Sequence, residues 1–480
     1  MEDQAEGGSA GPLSAFPRPQ KTGETMKRFF KTARRPAARR LSPARMFILS
    51  FLLVILTGAL LLLLPAASVR EPLSLMDALF TSASAVCVTG LTVVDIGRDL
   101  SVFGQVVTLM LFQIGGLGII TFSLVLFGLM GRSLSFRGRE LLQSTFLHTP
   151  RRDFFRILRF VVSGTFVIEG VGTLVLFLRF LADFPPGRAL YQAVYHAVSA
   201  FNNCGYSLFA DNLVRYRDDA VVNLAIVSLI VLGGLGFIVM YEVINRWRGR
   251  QKRLSLHAKV VLLATGALIT GGALLFYLFE SGNALNGVPV PGRLLASLFQ
   301  AVTPRTCGFN TVDIAALANP TILLMMILMF IGASPGSTGG GIKTSSFALL
   351  GLMIVNRIRG RDGVTIFRRT VPQEILGRTI AIVLASAVSV LVIASVLLLA
   401  AGPGAGPDSR HLFVEYMFET LSAFGTVGLS MDVTATLNEI QKMAIVVMMF
   451  MGRVGPLTLA FAWSTFRRGL VYAEEGVMVG

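Results

Sequence analysis

The chain has 480 residues, 53% hydrophobic and only 15% charged, with a formal charge of +16. Soluble domains carry about 25% charged residues, so this composition excludes an ordinary soluble protein and points to a lipid bilayer. Three cysteines, Cys87, Cys204 and Cys307, form neither a disulfide framework nor a C-x2-C zinc spacing, and are read as small packing residues.

Residues 1–45 are rich in Gly, Pro, Ser and Arg and show no apolar periodicity. Such a stretch cannot bury a core and is expected to be a disordered basic tail. From Met46 to Leu64 no residue is charged, a run long enough to cross a bilayer. A pattern then occurs four times. A long apolar helix, expected at 46–64, 157–181, 258–279 and 375–401, is followed by a proline: Pro72, Pro186, Pro291 and Pro407. A short helix of ten to fifteen residues is predicted next, with the proline in its first turn, where the missing N–H is no loss. The unit ends in a glycine (Gly90, Gly205, Gly308, Gly428) and in a second apolar helix, expected at 102–130, 220–246, 319–356 and 439–466.

A helix of ten to fifteen residues cannot span a membrane, so it is expected to dip in and return. Non-helical backbone at that depth must be buried in protein or line water. The fold class is therefore an all-α polytopic membrane protein: four tandem repeats of membrane helix, pore helix, filter loop and membrane helix around one pore, with eight spanning helices. The expected boundaries are 46–130, 131–247, 248–357 and 358–470, with a C-terminal tail at 471–480.

Thirty of the 43 Lys and Arg residues fall in 1–45, 131–156, 246–259, 357–378 and after 466. These are alternate connections, and the positive-inside rule makes them cytoplasmic. Both termini are then inside and the four loops open outward. The +16 is thus a topology signal, which excludes a nucleic-acid surface.

The loops carry the chemistry. A cation leaving water needs its oxygen shell replaced, and rings of backbone carbonyls can supply it. Glycine permits the backbone turns this requires. The candidate strands are Val88-Thr89-Gly90, Asn203-Cys204-Gly205, Thr306-Cys307-Gly308 and Thr426-Val427-Gly428, approached by the negative ends of the short helices. Four aspartates, Asp95, Asp211, Asp313 and Asp432, follow the glycines. Two readings of them stand together: a negative outer mouth, or helix caps and partners for Arg98, Arg215 or Arg217.

The second helix of the third unit is interrupted by Ile331-Gly-Ala-Ser-Pro-Gly-Ser-Thr-Gly-Gly-Gly-Ile-Lys343. A phosphate-binding P-loop would need Lys directly after its last glycine, but Ile342 intervenes. The stretch is instead expected to be a flexible loop in a cavity below the filter. Arg453 lies at the matching depth of the fourth unit. A mid-membrane arginine usually faces a cavity and is paired, here as a barrier to cations or as a partner of the loop carbonyls. Lys343 has the reach to snorkel to the cytoplasmic surface. Glu169 is expected in a helix–helix hydrogen bond, Glu415 and Glu419 as anchors of the fourth short helix.

The plan, with Cys87-Val-Thr-Gly-Leu91, Asn202-Asn-Cys-Gly205, Thr303-Pro-Arg-Thr-Cys-Gly-Phe-Asn310 and Phe424-Gly-Thr-Val-Gly-Leu-Ser430, resembles the Trk/Ktr/HKT superfamily of cation transporters over residues 46–470. It is most similar to the Ktr membrane subunit, having no extra helix pair before the first unit. Four filter glycines imply, by that resemblance, potassium over sodium. The resemblance also implies an intramembrane gate at 332–343, with Gly332, Gly336, Ser337, Thr338, Gly339, Gly340, Gly341 and Lys343, partnered by Arg453. It further implies a homodimer, a separate cytoplasmic RCK-type ring that binds ATP or ADP, Na+ as an activator, and residence in the bacterial inner membrane. The chain itself is expected to need no cofactor and to be no enzyme. The alternatives are a sodium-selective or sodium–potassium-coupled transporter, and a membrane-bound phosphate-binding enzyme.

Overall fold

The structure is a computed structural model that describes residues 43–130, 154–361, 363–402, 409–456 and 458–459. The tail before residue 43, the basic connection at 131–153, Pro407 and the C-terminal segment 471–480 lie outside the described residues.

The elements in chain order are α1 (Pro43–Leu62), α2 (Leu75–Cys87), α3 (Val102–Met130), α4 (Phe154–Phe180), α5 (Pro186–Asn202), α6 (Ala220–Leu235), α7 (Phe237–Trp247), α8 (Leu256–Glu280), α9 (Val290–Val302), α10 (Asn319–Phe330), α11 (Thr344–Ile358), α12 (Gln373–Ala400), α13 (His411–Gly425) and α14 (Glu439–Val454). A two-stranded antiparallel ribbon, β1 (Thr365–Ile366) and β2 (Arg369–Thr370), turns through Phe367 and Arg368 at positive φ. It departs from the all-α expectation only in a connection. The short helix α5, at 17 residues, exceeds the expected fifteen. Pro186 and Pro291 occupy first-turn positions of α5 and α9, but Pro72 precedes the N-cap of α2, which is Ser74. There the serine hydroxyl meets the free N–H of Asp77 at 3.1 Å, the usual solution for an orphan donor.

The long helices face outward and the short ones are inside. The apolar spans in α1, α4, α8 and α12 are only 28, 28, 28 and 22% buried. Leu53, Leu60, Phe166, Val167, Leu263, Leu384 and Leu391 are among their exposed side chains. Water would penalise each such residue by about 1.5–3 kcal/mol; lipid removes the penalty. In α2, by contrast, Ala78 and the run Phe80–Cys87 are buried.

By length and composition, four of the described helices can cross a membrane, or five if the pair α6–α7 is one span. The eight spanning helices expected above are therefore not all present as long apolar helices among the described residues. The helix expected at 220–246 breaks at Gly236 and bends by 102°, with φ 91°. The break is filled by tertiary contact: Phe237 N donates to Gly336 O at 2.9 Å, and a Cβ at Gly236 would run into the Pro335 carbonyl. The helix expected at 319–356 divides into α10 and α11 around 331–343, as its glycines suggest.

Neighbouring units share cores. Phe51, Phe80 and Phe112 join Leu397, Phe424 and Met448 in one cluster; Phe180, Phe201 and Ile226 join Phe299 and Phe309 in a second; Phe276 and Met325 join Phe418 and Leu429 in a third. Burial thus proceeds around the molecule from unit to unit, which sets the short helices about a common interior.

Candidate functional site: four glycine loops and the loop beneath them

Each short helix hands over to its loop through a left-handed residue two positions before the glycine: Val88 (φ 58°), Asn203 (61°), Thr306 (83°) and Thr426 (50°). Non-glycine residues rarely adopt this conformation, so four in register mark an imposed geometry. The glycines follow at φ 91°, 79°, 84° and 91°.

The glycines close a ring. A Cβ built on Gly90 would run into the carbonyl oxygen of Cys204; on Gly205, that of Cys307; on Gly308, that of Val427; and on Gly428, that of Thr89. Each glycine therefore abuts the backbone of the next loop, and the fourth returns to the first. Loops one to four surround one axis, with the carbonyls that precede the glycines interleaved between them. The three cysteines are free and buried, in keeping with a packing role.

A hydroxyl clamps each turn, a feature the sequence reading did not single out. Ser84 Oγ accepts from Gly90 N (3.1 Å) and donates to Leu91 O (2.8 Å). Ser422 Oγ accepts from Gly428 N at 3.1 Å. Ser199 Oγ donates to Tyr206 O at 2.9 Å, and Thr303 Oγ1 to Phe309 O at 2.5 Å. The sequence signal is a hydroxyl residue six positions before the glycine in three loops and five before it in the third. The third loop is shorter at this point: Cys307 N bonds to Thr303 O, four residues back, whereas Thr89, Cys204 and Val427 bond five back to Ser84, Ser199 and Ser422.

The segment 331–343 lies against the underside of this ring. Thr338 Oγ1 is 3.1 Å from the side-chain amide of Asn203, and Gly340 N donates to Thr426 Oγ1 at 3.0 Å. A Cβ on Gly339 would meet Thr306 Oγ1. Three consecutive residues thus contact the left-handed residues of loops two, four and three. The backbone is tied down on both flanks: Ser334 N and Thr338 N donate to Gly234 O and Gly233 O, and Gly341 N to Gly452 O. Ser337 Oγ donates to Ser334 O at 2.6 Å. Ile331 and Ile342 form a parallel bridge, and a Cβ on Gly332 would strike Gly340 O.

Gly332 stands 24 residues after its filter glycine, as Gly452 does, with Gly115 and Gly233 at 25 and 28, but it packs differently from these three. Gly115, Gly233 and Gly452 each pack against a carbonyl at the end of the short helix in their own unit, Val86, Phe201 and Phe424 respectively. In the third unit the interrupted helix replaces that contact.

Arg453 is 4% exposed and points into the same place. It donates through Nη1 to Thr338 O and through Nη2 to Gly115 O (2.5 Å). One side chain on α14 thus connects the segment beneath the ring with α3. Lys343 does not reach outward as expected. Its Nζ turns back to the loop carbonyl of Gly339 at 2.8 Å. A second buried arginine, Arg305, donates to Thr265 Oγ1 (3.4 Å) and Thr344 Oγ1 (3.3 Å), joining the third loop to the first residue of α11. Glu169 accepts from Gln113 Nε2 (3.3 Å) and Asn202 Nδ2 (3.0 Å), linking α4, α3 and the end of α5.

Three of the four aspartates have local partners. Asp95 accepts from Gly97 N and Arg98 N, and Asp313 from Ala315 N; both cap turns. Asp211 forms a two-toothed pair with Arg215, the shortest contact 2.6 Å. Partial burial pushes its carboxyl up, but the hydrogen bond and charge of Arg215, together with backbone donors, hold its pKa below the ordinary value. The pair is therefore formed at neutral pH and its charges offset each other. Arg217 pairs with Asp218 instead. Asp432 sits at φ 62°.

Among the described residues no group of three His, Cys, Asp or Glu side chains is placed to hold a metal. The profile of the TrkH family, described as cation transport protein, matches residues 28–466. Ktr system potassium uptake protein B of Vibrio alginolyticus is 38% identical over 439 residues, 91% of this chain and 94% of that protein. The Bacillus subtilis protein of the same name is 38% identical over 445 residues, 92% and 97% of the two chains. The potassium/sodium uptake protein NtpJ of Enterococcus hirae is 33% identical over 449 residues, 92% and 98%. The crystal structure of the potassium transporter TrkH from Vibrio parahaemolyticus has the same fold, with a TM-score of 0.69, 20% identity, and coverage of 91% and 88%. A profile match across nearly the whole chain, with these relatives, places the protein in the TrkH family of cation transport proteins: it is a multi-pass membrane transporter and not an enzyme.

Proposed function

We propose that the chain takes up potassium through the ring of four loops. The observation that carries this reading is the closed cycle of glycine contacts, which interleaves the carbonyls of Thr89, Cys204, Cys307 and Val427 about one axis. Such carbonyls replace the hydration shell of a cation without fixed charge. The four units are then repeats, with boundaries near 46–130, 131–247, 248–357 and 358–470. Eight crossings follow if α6–α7 is one bent span, α10–α11 one interrupted span, and α3 and α14 complete the outer set.

Residues 332–343 act as the gate, with Arg453 as its bolt. A broken helix at membrane depth is tolerated where it lines a cavity, and this one contacts three loops from below. A fixed positive charge under the ring repels a passing cation. The basic connections put this face in the cytoplasm, where a nucleotide-binding ring of the RCK type has a cationic surface to engage. A homodimer and activation by Na+ are part of the same reading, on resemblance alone.

Uptake into potassium-deficient cells tests it. Expression should raise rubidium uptake, and equimolar sodium should compete weakly. The NtpJ relative gives the sodium–potassium alternative its support, and sodium competing as well as potassium would transfer the assignment to it.

A further inference from the structure

Behind the ring the four units are not alike. Three residues before the clamping hydroxyl, each short helix carries a polar side chain: Thr81, His196, Gln300 and Glu419. All four are at most 1% exposed. Two residues after the glycine, each loop carries a second polar residue: Thr92, Ser207, Asn310 and Ser430. These positions are poised to meet across the back of the loop, yet only two pairs do.

In the second unit His196 Nδ1 lies 2.8 Å from Gln192 O. A carbonyl only accepts, so Nδ1 carries the proton, and Nε2 accepts from Ser207 Oγ at 3.0 Å. In the fourth unit Glu419 Oε2 accepts from Ser430 Oγ at 2.9 Å and Oε1 from Thr434 Oγ1 at 2.5 Å. In the first unit Thr92 faces outward, and Thr81 Oγ1 is buried without a partner. In the third, Asn310 Nδ2 donates to Val312 O, and both amide atoms of Gln300 are buried and unpartnered.

The geometry points to His196 and Glu419 as positioning residues that brace loops two and four from behind and thereby set ion selectivity. In both, the helix residue accepts and the loop hydroxyl donates, so the bond holds the loop at a fixed distance from its own short helix. Loops two and four are not adjacent in the ring, so each unbraced loop lies between two braced ones. A carbonyl ring discriminates between potassium and sodium only while its oxygens hold their positions or their number. The brace rests on the reading of the ring as a filter.

The test is the potassium-over-sodium flux ratio of purified variants in liposomes. Glu419→Ala removes two hydrogen bonds to a carboxylate and should lower the ratio about tenfold. Glu419→Gln, which retains an acceptor of the same shape, should restore most of it. Ser430→Ala cuts the same bond from the loop side and should lower the ratio in a protein with its short helix intact, so it decides the matter if Glu419→Ala fails to fold. Thr81→Ala and Gln300→Ala alter the equivalent positions where no bond exists and should leave the ratio unchanged. An unchanged ratio in Ser430→Ala and in any folded Glu419→Ala, with Gly428→Ser lowering it, would overturn the brace and leave the filter standing. No change in Gly428→Ser either would remove the filter reading itself.

Discussion

Gly90→Ser or Gly308→Ser is expected to lower the preference for potassium over sodium roughly tenfold or more, with transport of sodium persisting. The reason is steric before it is electrostatic. At φ 91° and 84° a side chain is strained by about 1–3 kcal/mol, and its Cβ would overlap the carbonyl oxygen of Cys204 or Val427 in the next loop. Either the glycine strand or its neighbour must then withdraw. In a closed ring a shift at one contact is passed to the next, so a single substitution alters the coordination of the whole site. The flux ratio in liposomes measures it directly. A serine variant with normal expression and an unaltered ratio would show that these carbonyls do not select the ion.

The second large effect is expected beneath the ring. Arg453→Ala should raise potassium flux about tenfold or more, and deletion within 336–341 should do the same. Arg453 bonds the carbonyls of Thr338 and Gly115, and a hydrogen bond from a charged group is worth about 1.5–3 kcal/mol. Loss of one such bond moves an open–closed equilibrium about tenfold. Removal of the charge also removes the repulsion that opposes a cation at this depth. Arg453→Lys keeps the charge but cannot bridge two carbonyls with a planar fork, so its flux should lie between the other two. A folded Arg453→Ala protein that conducts no faster than the parent would make the arginine a structural tie, not a bolt.

Arg453 and the glycine ring differ in how far they were legible from sequence. The ring was readable because its cause is local and repeated: a glycine at each turn and a short helix ahead of it, four times. The hydroxyl clamp of Ser84, Ser199, Thr303 and Ser422 was equally present in the residues, but concealed in loop three by a one-residue difference in spacing. The depth of Arg453 followed from counting along the apolar helices. Its acceptors did not, because Thr338 and Gly115 lie 115 and 338 residues away in the chain, and nothing local selects them. The break at Gly236 was missed for a related reason. The stretch on both sides of Gly236, residues 224–240, is apolar but for Ser228, and the bend depends on the carbonyls of Pro335 and Gly336 that occupy its inner side.

Lys343 and the aspartates show how local partners decide between readings that the sequence leaves open. Snorkelling treats a lysine as alone against lipid, whereas the glycine-rich loop offers Lys343 the carbonyl of Gly339 within hydrogen-bonding distance. Asp95, Asp211 and Asp313 satisfy turns or a neighbouring arginine within four residues of themselves. Of the four, Asp211 has its charge offset by a close arginine, whereas the turn-capping bonds of Asp313 come from neutral backbone and leave its charge in place.

Passage of dehydrated potassium through a ring of four glycine loops in one chain is the proposed function. Its most direct test is tracer flux of the purified protein in liposomes, with potassium and sodium supplied separately at equal concentration. Potassium flux well above sodium flux is expected in the parent, falling toward equality in Gly90→Ser. Equal fluxes of the two ions in the parent protein would contradict it.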